Sequence, residues 1–231
     1  MKNWMKILFM AVMPAMLFVS CDDDDDDLDL LEDSAQVMVV HASPNAPAVD
    51  LYVDNQKVNA SALNYPNNTG YLDVEAGNRN IKVTPAGAGV NDAVINANVD
   101  LDEDVFYSVF AADVVSSIEP VVLVDDLTEP AAGRAHVRFV HLSPDAPAVD
   151  IAVQNGPVLF SNIEFKENTA FMPVNAGSYT LEVRPTGSSN AVLTPTVNLV
   201  EGGIYTIFAK GFVTPPAGNN NTLGAEVIIN N

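Results

Sequence analysis

The sequence has few of the residues that carry most protein chemistry, with one cysteine, one tryptophan and three histidines among 231 residues. A single cysteine excludes an internal disulfide. Basic residues are also scarce: 10 lysines and arginines face 30 aspartates and glutamates, for a net charge of −20. A surface this acidic repels phosphate backbones and argues against a nucleic-acid partner.

The amino-terminal residues predict a secretory signal peptide over residues 1–20. Lys2 and Lys6 precede an uncharged run at residues 7–20. As a helix with about 1.5 Å rise per residue, that run spans roughly 21 Å, less than the ~30 Å hydrocarbon core of a bilayer. The segment is therefore too short for a membrane span and is expected to be removed.

The only cysteine, Cys21, directly follows Leu17, Phe18, Val19 and Ser20. A small residue before a lone cysteine resembles the lipobox of bacterial lipoproteins, although Phe18 stands where Leu is usual. The resemblance implies cleavage before Cys21 and attachment of fatty-acyl chains such as palmitate. The alternative is ordinary cleavage that leaves a free thiol. Because a lone cysteine has no disulfide partner in an oxidising compartment, we expect lipidation.

An acidic run from Asp22 to Asp27 follows the cysteine. Dense like charges repel each other, so residues 21–35 are predicted to form an extended tether. Acidic residues at this place resemble the signal that sends some lipoproteins to the outer face of the outer membrane. We therefore expect a lipid-anchored outer-membrane protein at the cell surface. A solvated spacer on a periplasmic protein is the alternative.

An internal repeat is the most specific signal in the chain. Residues 37–50 recur one hundred positions later as residues 137–150, and both share His-x-Ser-Pro-(Asn or Asp)-Ala-Pro-Ala-Val-Asp. A period near one hundred residues indicates a duplicated domain rather than a solenoid. The predicted boundaries are 36–127 for the first copy, 128–134 for a linker and 135–231 for the second copy.

Each copy is predicted to be all-β. Apolar and charged residues alternate at Ile81-Lys82-Val83 and at Leu181-Glu182-Val183, which is the period of a half-buried strand. Glycine, proline and asparagine clusters separate such runs, and long helical periods with caps are missing after residue 35. About seven short strands per copy favour two tandem antiparallel β-sandwiches of immunoglobulin-like or transthyretin-like type.

The repeated motif, together with a later Ala-Gly turn and an Ile-Lys-Val or Leu-Glu-Val strand, resembles the domain-of-unknown-function family 4397. The resemblance covers two copies and nearly all of residues 36–231. It implies a secreted or lipid-anchored β-sandwich without an established activity. The second copy follows the pattern closely, whereas the first has Asn45 where the motif is acidic.

The repeated motif also supplies the candidate ligand-binding residues, which are His41, Ser43, Asp50, His141, Ser143 and Asp150. Val37, Val39 and His41 share one strand face, as do Val137, Phe139 and His141, so each histidine is expected to point inward. Arg138 then marks the opposite, wetter face. A neutral structural histidine, bonded to Ser43-Pro44 or to Asp50, is favoured over a catalytic triad or a metal site.

The sequence favours a non-enzymatic envelope protein with no catalytic residue, no metal site and no cofactor. Its expected partners are the membrane, through the anchor, and another envelope protein or a polysaccharide. Two linked copies raise avidity without requiring a strong single site. The alternative is a carbohydrate- or calcium-dependent accessory of a polysaccharide-processing system, with Asp100, Asp102, Glu103 and Asp104 as possible oxygen ligands.

Overall fold

The computed structural model describes residues 33–231. The predicted signal peptide, Cys21 and almost all of the predicted acidic tether lie outside the described residues. Within them, every regular element other than two short 3-10 turns, Val90–Asp92 and Val115–Ser117, is a β-strand. This part of the chain contains no helix of the length and apolarity that crossing a membrane requires.

Eight strands form in each copy. Those of the first copy are β1 (Ser34–His41), β2 (Val49–Val53), β3 (Gln56–Lys57), β4 (Asn68–Glu75), β5 (Gly77–Pro85), β6 (Ile95–Leu101), β7 (Phe106–Ala112) and β8 (Glu119–Asp125). Those of the second copy are β9 (Arg134–His141), β10 (Val149–Val153), β11 (Val158–Ile163), β12 (Met172–Asn175), β13 (Gly177–Pro185), β14 (Thr196–Leu199), β15 (Ile204–Lys210) and β16 (Gly224–Ile229).

The strands of each copy form two four-stranded sheets, which confirms the predicted all-β sandwich. We call β4-β1-β7-β8 and β12-β9-β15-β16 the inner sheets, and β3-β2-β5-β6 and β11-β10-β13-β14 the outer sheets. One pair in each inner sheet, β1 with β7 and β9 with β15, is parallel. The inner sheets are therefore mixed rather than purely antiparallel, because the chain crosses through the outer sheet at β5 and β6 before β7 pairs beside β1.

The first strand of each copy is buried on both faces. Val37 and Val39 belong to the core between the two sheets of the first copy. Met38 and Val40, which point the other way, belong to a different core. The alternation thus gives the inward face correctly, but the opposite face is not wet.

This additional core lies between the two inner sheets and contains residues of both copies. Its buried members are Met38, Val40, Ala42, Phe110, Ala112, Leu123, Val140, Leu142, Phe208 and Ile228. We call it the shared core. Phe110 and Phe208 occupy equivalent positions on β7 and β15, and their rings meet edge to face with centroids 5.8 Å apart. Contact between equivalent residues is the mark of a twofold-like interface.

A buried ion pair crosses the shared core. The Arg138 guanidinium lies 2.5 Å from Asp125, and neither side chain is more than 2% exposed. Asp125 also accepts hydrogen bonds from Ser108 and Tyr71, while Arg138 donates to Thr206. The prediction that Arg138 marks a wet face is wrong, because that face is covered by the other copy.

Candidate functional site

Both motif histidines are fully buried. The His41 Nε2–H donates to the carbonyl oxygen of Pro47 at 2.9 Å, and the His141 Nε2–H donates to that of Pro147 at 3.0 Å. The acceptor is thus the last proline of the Pro-x-x-Pro segment, not Ser43-Pro44 or Asp50 as predicted. Each imidazole ties the end of a strand to the loop that leads to the outer sheet.

Burial lowers the pKa of both His41 and His141 below the ordinary histidine value. Both rings are therefore neutral at pH 7, with the proton on the nitrogen that faces the proline carbonyl. At that pH a neutral ring can remain buried without an opposing charge.

The lowered histidine pKa values predict a loss of stability in mild acid. As the pH falls through about 6.5, the unfolded chain binds protons that the buried rings do not, so the free energy of unfolding should fall. Each imidazole can add a slope of at most about 1.4 kcal/mol per pH unit. Urea denaturation between about pH 8 and about pH 5 measures this slope, above the range where exposed carboxylates titrate.

The matched control for this slope carries His41→Gln together with His141→Gln. A glutamine amide can still donate to the proline carbonyl but does not titrate. The control is expected to be less stable at pH 7, and its free energy of unfolding should be nearly independent of pH between about pH 6.5 and about pH 5. An equal acid slope in both proteins would show that other groups cause it.

The motif serines are as deeply buried as the histidines. The Ser143 hydroxyl donates to the carbonyl oxygen of Gly211 at 2.6 Å, which ties the motif to the end of β15. Within residues 33–231, no hydrogen bond joins either imidazole to a serine hydroxyl or to a carboxylate. The motif groups do not form a nucleophile–base pair in this arrangement.

The motif aspartates bind a turn of the outer sheet. Asp50 accepts from the Gly87 N–H at 2.9 Å and pairs with Lys57 at 2.8 Å. Asp150 accepts from the Gly187 N–H at 3.1 Å and from the Asn162 N–H at 2.8 Å. These backbone hydrogen bonds lower the pKa of both aspartates. Both carboxylates hold the turn on which a glycine at positive φ reverses the chain.

The one motif position at which the copies differ has the same role in both. Asn45 accepts a hydrogen bond from the Val115 N–H at 2.8 Å, and Asp145 accepts from the Val213 N–H at 2.7 Å. Either an amide or a carboxylate oxygen can accept there. The departure of Asn45 from the acidic pattern therefore leaves the local structure unchanged.

The loops that pack beside His41 and His141 also contact the other copy. His41 meets Tyr65 edge to face at 5.9 Å, and the Lys210 ammonium of the second copy lies 5.5 Å from the same ring. On the other side Lys166, in the loop beside His141, pairs with Asp113 at 2.6 Å and with Glu119 at 2.7 Å. Loops held by the motif thus reach across to the neighbouring copy.

The acidic turn considered as a calcium ligand set contributes to local structure. The Asp100 carboxylate accepts from the Asn78 amide, and the Asp104 N–H donates to the Ser34 carbonyl at 2.9 Å. Across residues 33–231, no group of three or more His, Cys, Asp and Glu side chains is placed to hold a metal ion.

A cavity of about 340 Å³ opens between the two sheets of the second copy. Its wall is almost entirely apolar and includes Val153, Leu159, Met172, Val174, Leu181 and Leu199. Arg134, Asn175 and Tyr179 also line it. We call it the second-copy cavity. Its size falls within the usual range of small-molecule sites, about 300–1,000 Å³.

The corresponding end of the first copy is polar. Arg79, equivalent to Tyr179, lies 3.2 Å from the carboxylates of both Asp54 and Glu75. In the second copy these carboxylates are replaced by Gln154 and Asn175. The sequence did not predict the second-copy cavity, because only the residues shared by the two copies were compared. The informative difference was the loss of a charged side chain in the second copy at the three positions equivalent to Asp54, Glu75 and Arg79.

Comparison with known proteins gives a family but no activity. A family model described as "Domain of unknown function (DUF4397)" matches residues 35–152 and 152–230. Among curated proteins, none matches the chain significantly.

Two solved structures are distantly similar. The Bacillus anthracis TIE protein is 13% identical with a TM-score of 0.25, over 78% of this chain and 34% of its own length. A leucine-rich repeat protein from Bacteroides thetaiotaomicron is 10% identical with a TM-score of 0.18, over 75% of this chain and 25% of its own. The chain thus spans about a third and a quarter of these proteins.

Proposed function

The chain belongs to the family of the domain of unknown function DUF4397, in two copies, and we propose that it is a non-enzymatic, lipid-anchored binding protein of the bacterial cell envelope. The observation that carries this proposal is how the motif residues are used. His41, His141, Ser43 and Ser143 are fully buried, and the imidazoles hydrogen-bond to backbone carbonyls. A group enclosed in this way cannot reach a substrate, so the motif serves the architecture.

The proposed location rests on the sequence. Cys21 follows a signal-like segment and precedes the acidic run from Asp22 to Asp27. Several acyl chains on one cysteine make a stable anchor, whereas one chain alone binds marginally. The protein is then held at the outer membrane, facing the cell surface, where another envelope protein or a polysaccharide is its partner.

Lipidation is tested by mass spectrometry of the protein purified from membranes. We expect a mature amino terminus at Cys21 carrying acyl chains. Cys21→Ala should leave the membrane fraction, whereas Ser34→Ala, at the start of β1, should remain in it. Protease treatment of intact cells should digest the surface form. An unmodified Cys21, or an unchanged membrane fraction for Cys21→Ala, would contradict the anchor.

Binding is tested with the soluble residues 22–231, with and without calcium, against purified polysaccharides and envelope proteins. The proposal expects binding to one partner class without any need for calcium. It also expects His41→Gln with His141→Gln to bind equally at a temperature where the variant is folded. A calcium-dependent rise in melting temperature would favour the carbohydrate- or calcium-dependent alternative instead.

A further inference from the structure

The second-copy cavity has the shape and lining of a site for a narrow apolar group. Its floor consists of residues from the core of the second copy, including Val137, Leu181 and Val197. With about 30 Å³ for each water-sized group, about 340 Å³ holds on the order of ten non-hydrogen atoms. A wall without buried polar groups favours an apolar ligand.

The charge at this site differs from that of the rest of the protein. Residues 33–231 contain eight lysine and arginine side chains, and seven of them pair with carboxylates or donate hydrogen bonds to side chains. These seven are Lys57, Arg79, Lys82, Arg138, Lys166, Arg184 and Lys210. Arg134, which is exposed beside the cavity, is the one described cation without such a partner.

A cavity of about 300 Å³ also lies at the corresponding place of the first copy, but its lining is charged and includes Asp54, Glu75 and Arg79. Arg79 there bridges Asp54 and Glu75 across the end of the sandwich. In the second copy the equivalent Tyr179 instead donates its hydroxyl hydrogen bond to the Asn175 carbonyl at 2.9 Å. The cavity of the first copy is thus lined by ion-paired side chains, whereas that of the second copy is lined by apolar side chains with Arg134 beside them.

We propose that the second-copy cavity binds a single acyl chain with an anionic head, the chain lying between the sheets and the head pairing with Arg134. This inference rests on the proposed binding function and gives that function a ligand class. The net negative charge of the protein repels anions in general, so Arg134, whose guanidinium has no side-chain partner among residues 33–231, sets the position of the head group.

The test uses residues 22–231, which include the whole compact unit and its three cores. Calorimetric titration is made with dodecanoate, with a single-chain phosphatidylglycerol and with dodecyltrimethylammonium, each below its micelle-forming concentration. We expect one molecule of each anion per chain and binding of the cationic amphiphile at least about tenfold weaker. The tighter of the two anionic ligands shows whether the chain comes from a free fatty acid, as in dodecanoate, or from a lipid, as in the phosphatidylglycerol.

Two variants and a control locate the site. Arg134→Gln should weaken the binding of dodecanoate about tenfold, so that dodecanoate no longer binds more tightly than dodecyltrimethylammonium. Asn175→Glu with Tyr179→Arg, which places the charged pair of the first copy in the apolar lining, should weaken binding of all three probes at least about tenfold. Arg184→Gln also loses one positive charge, but from a residue paired with Glu182 away from the cavity, and should bind as the unchanged protein does.

The inference is overturned if no anionic probe binds, if the cation binds as tightly, or if neither variant changes the affinity. Those results leave the proposed function standing if a polysaccharide or an envelope protein still binds. Conversely, acyl-chain binding with no such partner would support the cavity proposal and contradict the proposed polysaccharide or envelope-protein partner.

Discussion

Arg138→Ala is expected to lower the free energy of unfolding by about 3–5 kcal/mol. The guanidinium and Asp125 are both almost completely buried between the copies. Removing the cation leaves the carboxylate without a counter-charge in a low-dielectric environment, and this cost exceeds the value of the pair itself.

The equivalent residues of the other half provide a matched rescue. Met38 stands at the position of Arg138, and Asn230 at that of Asp125. Arg138→Met combined with Asp125→Asn should therefore recover most of the loss, because no unpaired charge remains buried. Glu75→Ala, whose side chain is 75% exposed beside Arg79, should cost no more than about 1 kcal/mol.

Urea denaturation at pH 7 measures all of these variants. If Arg138→Ala costs as little as Glu75→Ala, then the face that carries Arg138 is solvated and the copies do not pack through it. A double variant no more stable than Arg138→Ala would show that the loss comes from packing rather than from an unpaired charge.

Phe208→Ala is expected to cost about 3–5 kcal/mol of unfolding free energy. The Phe208 ring is fully buried and meets Phe110 of the other copy. Its removal leaves a cavity in the middle of the shared core that surrounding strands cannot fill. Phe110→Ala should have a similar cost, and the double variant should lose less than the sum because the two rings contact each other.

The control for this prediction is Ile229→Ala on β16. That side chain is 63% exposed, so its removal should change stability by no more than about 0.5 kcal/mol. Thermal and urea denaturation should rank the variants in this order. A loss below about 1 kcal/mol for Phe208→Ala would mean that the copies are joined by the linker alone.

The sequence predicted the fold through signals that are local. Alternation at Ile81-Lys82-Val83 identified a strand with one buried face, and the repeat identified two copies. The parallel pairing of β1 with β7 is non-local, since it depends on which distant strand returns beside the first. No spacing within either strand encodes that neighbour. The sequence therefore predicted antiparallel sheets, whereas the inner sheets of the structure each contain one parallel pair.

Arg138 shows where local reasoning about burial fails. A charged residue in an alternating strand normally indicates solvent, but its partners Asp125 and Thr206 lie on distant strands. Only the packed structure shows that the charge is compensated. The histidines were predicted more successfully, since their inward direction followed from strand phase, although the acceptor was assigned to the wrong residue of the turn.

The second-copy cavity was not predicted because a cavity is a property of side chains that fail to fill a space. Shared residues define the fold, whereas the replacement of Arg79 by Tyr179 changes how one end closes. Comparing the two copies for lost charge, rather than for retained motifs, would have identified that end.

Differential scanning calorimetry of residues 22–231 tests most directly whether the two copies form one body. Because the buried core between the inner sheets contains side chains of both copies, they should unfold together. We expect one transition whose calorimetric enthalpy equals its van't Hoff enthalpy. Two separate transitions, one for each copy, would contradict it.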